Sequence, residues 1–141
     1  MIRTILATAI SMLILSAHAQ APAVEVSVDS PFYQPKDDIM VSIQNNRQVS
    51  ILTYDHQSYC TIVTLQMQHP SFGGWIDLAP CRMGIPDRPV EFAPGEMIKV
   101  TLPGGDPRPV GTYRVRFYYY LLGGLNQPAY IVYSPEFQVG K

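Results

Sequence analysis

The sequence predicts an all-β fold, a sandwich of seven to nine antiparallel strands within one domain. Apolar and polar residues alternate in short runs of period two, which is typical of strands with one buried face. Of the 13 prolines, all but Pro135 lie in the joints between these runs, where a missing N–H does no harm. No segment of useful length after the N-terminal 19 residues has helical periodicity. An open-ended barrel is the alternative architecture.

The first 19 residues predict a signal peptide rather than part of the fold. Arg3 supplies a positive charge, and an apolar run of 11 residues follows at 5–15. Ala17 and Ala19 then place small residues at −3 and −1 of a cleavage site. The run is shorter than the roughly 18 residues that a spanning helix needs. We therefore expect cleavage after Ala19, a single domain at 20–141 and a secreted or periplasmic protein; an uncleaved membrane anchor is the alternative.

The charge balance excludes several classes of partner. Arg3 is one of ten Lys and Arg residues, so the mature chain carries nine against eleven Asp and Glu, a formal charge of −2. Nucleic-acid binding requires a basic footprint that this balance does not provide. No polybasic segment offers attraction to anionic lipids either. We expect no nucleic-acid partner and no membrane span after signal cleavage.

Each predicted strand depends on a short run bounded by turn residues. The run 24–28 alternates valine with Glu and Ser before the turn "DSPFYQPKDD". The run 39–44 alternates Ile and Val with Met, Ser and Gln and leads into "QNNR". Such alternation between turn clusters predicts strands. The other runs are 49–54, 61–67, 75–78, 90–92, 97–102, 112–122 and 129–139.

Two cysteines, Cys60 and Cys81, lie in the mature region, and an even count in an exported chain favours a disulfide. If they oppose each other in a hairpin turning at "HPSFGG", one face is uniformly apolar and the other is mixed. The apolar pairs are Met67/Gly74, Leu65/Ile76 and Val63/Leu78, and the mixed pairs are Ile62/Ala79, Thr64/Asp77 and Gln66/Trp75. The disulfide and the hydrophobic pattern thus predict the same register. Two reduced thiols are the alternative.

The last hairpin carries the most informative surface. Tyr113, Val115 and Phe117 share one face of the run 112–122 and suit the core. The opposite face of the run holds Arg114, Arg116, Tyr118 and Tyr120. If Leu122 pairs with Ala129, Ile131 and Tyr133 of the last run lie on this face as well. Tyr and Arg are enriched at binding hot spots, so this face is a possible interaction face. The alternatives are a face covered by another segment or an ordinary aromatic ladder.

Two stretches, "EFAPGEMIKVTL" and "PVGTYRVRFYY", resemble the closing half of bacterial immunoglobulin-like domains, and "DDIMVSIQNN" is similar to their second strand. The resemblance implies an immunoglobulin-like antiparallel β-sandwich and makes Tyr113 the tyrosine-corner residue, bonded to upstream backbone. The cysteines depart from antibody domains because both fall in one hairpin.

Trp75, a possible exposed aromatic, and the "PGE" turn are similar to the bacterial intracellular proteinase inhibitor family, which is cytosolic and lacks this disulfide.

No motif predicts catalysis, a metal site or a cofactor. The mature chain has two histidines, His56 and His69, both in segments typical of turns. A triad from Asp55, His56 and Ser58 would require sequence neighbours to adopt a geometry that they seldom make. Copper could use His69 and several methionines, and calcium several aspartates, but neither set has ligand spacing. We therefore expect no enzyme.

The expected function is an exported binding or structural module of the envelope or extracellular space. Its partner, a protein or another envelope component, is not identified by the sequence, and self-association is possible. One alternative is a proteinase inhibitor acting through an exposed loop, "HPSFGGW" or "PCRMGIPDRP". Another is a periplasmic copper-binding protein.

Overall fold

The computed structural model describes residues 21–55, 61–78, 88–123 and 129–140. These residues form strands, turns and loops, and no helix among them is long and apolar enough to cross a membrane. Eleven strands are present in the described ranges. In chain order they are β1 (Val24–Val28), β2 (Phe32–Tyr33), β3 (Ile39–Asn45), β4 (Ile51–Asp55), β5 (Val63–Gln68), β6 (Trp75–Asp77), β7 (Arg88–Phe92), β8 (Met97–Leu102), β9 (Gly111–Leu121), β10 (Tyr130–Tyr133) and β11 (Phe137–Val139).

The strands form two sheets. The smaller sheet has the order β1-β3-β8, and the larger has the order β2-β11-β9-β4-β7. Strand β9 organises the larger sheet, because β5 and β10 also pair with it and β6 extends the sheet beyond β5. All pairs are antiparallel except β2 with β11. The predicted all-β class and immunoglobulin-like β-sandwich are therefore confirmed.

The structure has two strands more than the nine alternating runs. Strand β2 lies inside the predicted turn after β1, because its two residues pair with β11 far along the chain. The last run divides into β10 and β11 around Pro135, which has no N–H to donate to a ladder. Pro135 thus lies in a joint like most other prolines. Pro89 instead lies within β7, which pairs only with β4 among the described residues, as expected of a proline in an edge strand.

Both hairpin registers differ from prediction by two residues. Met67 faces Ile76 rather than Gly74, and Ile131 faces Tyr118 rather than Tyr120. In the first hairpin, the His69 N–H donates to the Gly74 carbonyl, which closes a loop shorter than predicted. Gly73, at φ 68°, supplies the left-handed residue of that loop. A shift of two leaves every side chain on its predicted face.

The core lies between the sheets and centres on β9. Tyr113, Val115 and Phe117 are fully buried, as their predicted inward face requires. They belong to the same core cluster as three buried β3 residues of the opposing sheet, Ile39, Val41 and Ile43. Apolar burial of this kind contributes about 25 cal/mol for each Å² removed from water.

Tyr113 has the geometry of a tyrosine corner. Its hydroxyl donates to the Pro109 carbonyl, four residues upstream, and its ring stacks on Phe137 with centroids 5.9 Å apart. Burial raises the pKa of Tyr113, while the nearby Arg108 guanidinium opposes that shift. The hydroxyl therefore remains protonated and serves as a structural donor.

Residues 1–19, predicted as a signal peptide, lie outside the described residues, and so do Cys60 and Cys81. The described strands test only the hairpin register that we derived by assuming the disulfide. In the structure that register is shifted by two residues, since Met67 pairs with Ile76 rather than with Gly74. Signal cleavage and the disulfide remain predictions.

Candidate functional site

Four adjacent strands, β6-β5-β9-β10, bring the predicted interaction residues onto one surface. Gln66 opposes Arg114, Ile131 opposes Tyr118, and Tyr133 opposes Arg116. Opposed residues point to the same side of a sheet, so these side chains share the side away from the core. We call this surface the outer face and define it as Gln66, Trp75, Asp77, Arg114, Arg116, Tyr118, Tyr120, Ile131 and Tyr133.

Arg114 lies at the centre of the outer face, between two aromatic rings. Its guanidinium carbon is 4.1 Å from the centroid of the Trp75 ring and 3.8 Å from that of Tyr133. The strand order explains this position, because β6 lies on one side of β9 and β10 on the other. Cation–π attraction holds such a guanidinium with about 0.5–2 kcal/mol for each ring. Trp75, predicted as a possible exposed aromatic, is instead half-buried because it packs on Arg114.

A chain of polar contacts links the two arginines of the outer face. The Arg114 Nε–H donates to Gln66 Oε1 at 2.8 Å, and Gln66 Nε2 donates to Asp77 Oδ1 at 2.8 Å. Asp77 Oδ2 accepts from Arg116 at 2.6 Å. Gln66 is buried, so its amide is fixed by both of these bonds. The orientation of Arg114 is therefore determined by Gln66 as well as by the rings.

The two arginines differ in how their charges are compensated. Arg116 has an ion pair with Asp77, and its guanidinium carbon lies 4.8 Å from the Tyr118 ring centroid. Its Nε is buried without a hydrogen-bond partner. Arg114 has no carboxylate partner among the described residues, since its one side-chain acceptor is the neutral Gln66 amide. The centre of the outer face therefore carries an uncompensated positive charge.

Apolar side chains adjoin this charge. Ile131 is 49% exposed and Tyr133 is 42% exposed. Tyr118 and Tyr120 are half-buried, and Tyr120 makes an edge contact with Tyr54 at 6.0 Å between centroids. Protein interfaces are enriched in aromatic residues and arginine, and this surface combines such residues with an exposed aliphatic side chain.

Strand β10 forms one border of the outer face, and β1 of the smaller sheet lies near it. Strand β10 pairs with β9 and with no other described strand. The Ser134 N–H donates to the Val115 carbonyl, so by alternation the N–H and C=O of Ile131 and Tyr133 point away from β9. Toward the core side, the Tyr130 ring stacks on Tyr119 and lies 5.3 Å from the Arg47 guanidinium carbon.

The described side chains that the sequence suggested for copper lie on different elements, with Met40 in β3, Met67 in β5 and Met97 in β8. Met67 packs against the core, whereas His69 lies in the β5–β6 turn and accepts a hydrogen bond from the Ser71 N–H. Within the described ranges, no three His, Cys, Asp or Glu side chains are grouped closely enough to hold a metal ion.

The β5–β6 turn is part of one predicted inhibitor loop, "HPSFGGW". It exposes Phe72, whose ring stacks on His69 with the two centroids 4.0 Å apart.

Sequence reasoning placed Gln66 and Asp77 on the correct face of their hairpin but assigned them no role in the site. Their role depends on β5 pairing with β9, a contact between segments about 50 residues apart. The charge of Asp77 gives part of the information, because an acidic side chain on the same strand face as Gln66 and Trp75 suggests a basic partner nearby. The alternating pattern alone does not reveal which strand lies beside β5.

The fold and this face define an immunoglobulin-like β-sandwich with an arginine–aromatic outer surface. No protein family model and no curated protein match the sequence. Among solved structures, the chain is similar to the ASH / PapD-like domain of human CEP192 (PapD-like domain 7). The sequence identity is 12% and the TM-score 0.35, covering 96% of this chain and 99% of that chain. Similarity at this level carries no functional argument, so function is inferred from the outer face itself.

Proposed function

We propose that this protein is an exported, non-enzymatic binding module that recognises a partner through the outer face. The observation that carries the proposal is the juxtaposition of exposed Ile131 and Tyr133 with the uncompensated charge of Arg114. Aromatic and arginine side chains are the residues that contribute most at protein interfaces. A neighbouring apolar strand supplies area that a partner would remove from water.

Rigidity supports the same proposal. Arg114 is held by two rings and the buried Gln66, and Tyr120 packs on Tyr54. Side chains that are already ordered lose little conformational entropy on association. The outer face thus presents a prepared surface rather than a set of mobile side chains.

Export is the second part of the proposal. The positive charge, apolar run and small residues at 17 and 19 support secretion into the periplasm or medium. In that oxidising compartment, Cys60 and Cys81 would form the predicted disulfide. N-terminal sequencing of the mature protein should begin at Gln20, and peptide mapping without reduction should recover both cysteines in one crosslinked species.

Site-specific photocrosslinking in the native cells tests the binding function. Ile131 is replaced by p-benzoylphenylalanine in one variant, and Met97 in the control. Met97 lies on the other sheet and is 54% exposed, similar to Ile131. We expect a discrete crosslinked species from position 131 only, and less of it when Tyr118→Ser is added. No crosslinked species, or the same species from both positions, would contradict the proposal.

A further inference from the structure

The Arg114 guanidinium has an edge, formed by its two terminal nitrogens, that no described residue uses. One of its five N–H groups, on Nε, is used by Gln66. The two terminal nitrogens make no hydrogen bond to any described residue, and neither is buried without a partner. They therefore keep some contact with solvent, and their four N–H groups have no acceptor among the described residues.

The surroundings of this edge favour an anion. Trp75 and Tyr133, on strands that lie on opposite sides of β9, both pack against the guanidinium, which leaves its terminal nitrogens for an incoming group. Asp77, the acidic residue of the outer face, is already paired with Arg116. A planar fork of N–H groups matches the two oxygens of a carboxylate. Because the fork is already oriented, little entropy is lost when it binds.

The neighbouring exposed side chains narrow the class of ligand. Tyr133 stacks on Arg114, and Ile131 lies two residues away on the same face of β10. Two residues along a strand span about 6.6 Å, which is also the spacing of alternate side chains in an extended peptide. Because the Arg114 guanidinium carbon lies 3.8 Å from the Tyr133 ring centroid, an extended segment with an acidic residue two positions from an aliphatic residue would place its carboxylate beside Tyr133, at the guanidinium, and its aliphatic side chain at Ile131.

We propose that Arg114 is the receptor for a side-chain carboxylate of the partner, within an extended acidic–aliphatic peptide segment. This inference rests on the proposed function and names the chemistry of its ligand. Trp75 and Tyr133 are the walls of the receptor, and Gln66 is the positioning residue that fixes the fork. The bond formed is a pair of N–H···O contacts from the terminal nitrogens to the two carboxylate oxygens.

The chain supplies its own reporter for this contact, since Trp75 is its single tryptophan. The probe is the blocked peptide acetyl-Thr-Leu-Thr-Glu-Thr-Leu-Thr-amide, which has the required spacing in both chain directions. We expect it to change tryptophan fluorescence saturably. The matched peptide with Gln in place of Glu should bind at least about tenfold more weakly, since charge-assisted bonds exceed neutral ones. Equal binding of the two peptides, or no change up to the solubility limit, overturns the proposal.

Three variants separate the fork from charge alone. Arg114→Gln and Arg114→Lys should each weaken binding of the Glu peptide at least about tenfold, because lysine lacks the planar fork. Arg88→Gln removes a more exposed arginine, one that pairs with Asp55, and should bind like the parent. Undiminished binding by Arg114→Lys, or equal loss in Arg88→Gln, overturns the assignment. Unfolding midpoints of all variants verify that the fold is retained.

Two further readouts complete the test. Inorganic phosphate that reproduced the fluorescence change at equal concentration would indicate a general oxyanion site and overturn the peptide assignment. The photocrosslink from position 131 distinguishes the two proposals. If it persists undiminished in Arg114→Gln, the carboxylate inference fails and the binding function stands. If it is absent from the protein with Arg114 intact, the proposed function itself fails.

Discussion

Replacing Tyr113 by Phe tests whether the tyrosine corner stabilises the sandwich. The change removes one hydroxyl and its bond to the Pro109 carbonyl, while the ring and its stacking on Phe137 remain. The ring is fully buried, so the substituted side chain keeps its position. The measured difference therefore reports the hydrogen bond.

The expected magnitude follows from the environment of the acceptor. Pro109 lies in an exposed segment, so water can replace the lost donor at its carbonyl. The loss is then the net contribution of one neutral hydrogen bond, about 1 kcal/mol, rather than the 1–3 kcal/mol cost of an orphaned buried group. Arg108 still holds the same segment, because its guanidinium donates to the carbonyls of Leu102 and Pro103. For a domain of this size, the midpoint should fall by roughly 3–6 °C.

Tyr118→Phe is the matched control. It removes the same hydroxyl from a half-buried tyrosine on the same strand, and that hydroxyl makes no hydrogen bond to a described residue. Thermal and urea unfolding at neutral pH should show a change within about 0.5 kcal/mol for this variant. If Tyr113→Phe were as stable as Tyr118→Phe, the corner would have no energetic role.

Three further outcomes are expected. Tyr118→Ser/Tyr120→Ser should reduce stability by less than the about 3–5 kcal/mol typical of deleting a buried aromatic, while abolishing the crosslink from the outer face. A Cβ at Gly104 would clash with the Lys36 carbonyl, so Gly104→Ala should cost about 1–3 kcal/mol in urea unfolding, whereas a Cβ at Gly105 meets nothing within 4 Å and Gly105→Ala should be neutral. Burial and the bond to a carboxylate raise the pKa of Tyr33 to about 12. The contribution of Tyr33 to the free energy of unfolding is complete below its ordinary pKa of about 10 and is lost as the pH rises toward 12. When the free energy of unfolding is measured across this pH range, its decline should be flatter in Tyr33→Phe.

The residues of the outer face were predictable because a strand's period is two. Arg114, Arg116, Tyr118 and Tyr120 alternate with Tyr113, Val115 and Phe117, which the structure buries. Both hairpin registers were displaced, yet the displacement was an even number of residues. Membership of a face survives such a shift, whereas the identity of each cross-strand neighbour does not. The sequence therefore predicted which residues share the surface but not which of them touch.

The arrangement around Arg114 was not predictable for a different reason. It requires β6, β5, β9 and β10 to lie side by side in that order. Alternation identifies strands and their faces, and turn chemistry identifies hairpins, but neither specifies that β5 lies against β9. The two-residue β2 was missed in the same way, because its pairing with β11 is formed by distant backbone groups.

Gln66 explains how a positive charge can remain uncompensated inside this network. Its oxygen accepts from Arg114 and its nitrogen donates to Asp77, so both ends of the amide are required. A carboxylate at this position could not donate to Asp77 and would place two negative charges together. The amide instead directs Asp77 toward Arg116 and leaves Arg114 without a carboxylate of its own. A neutral relay therefore links the two arginines, while Arg114 retains the charge that the proposed acidic partner would bind.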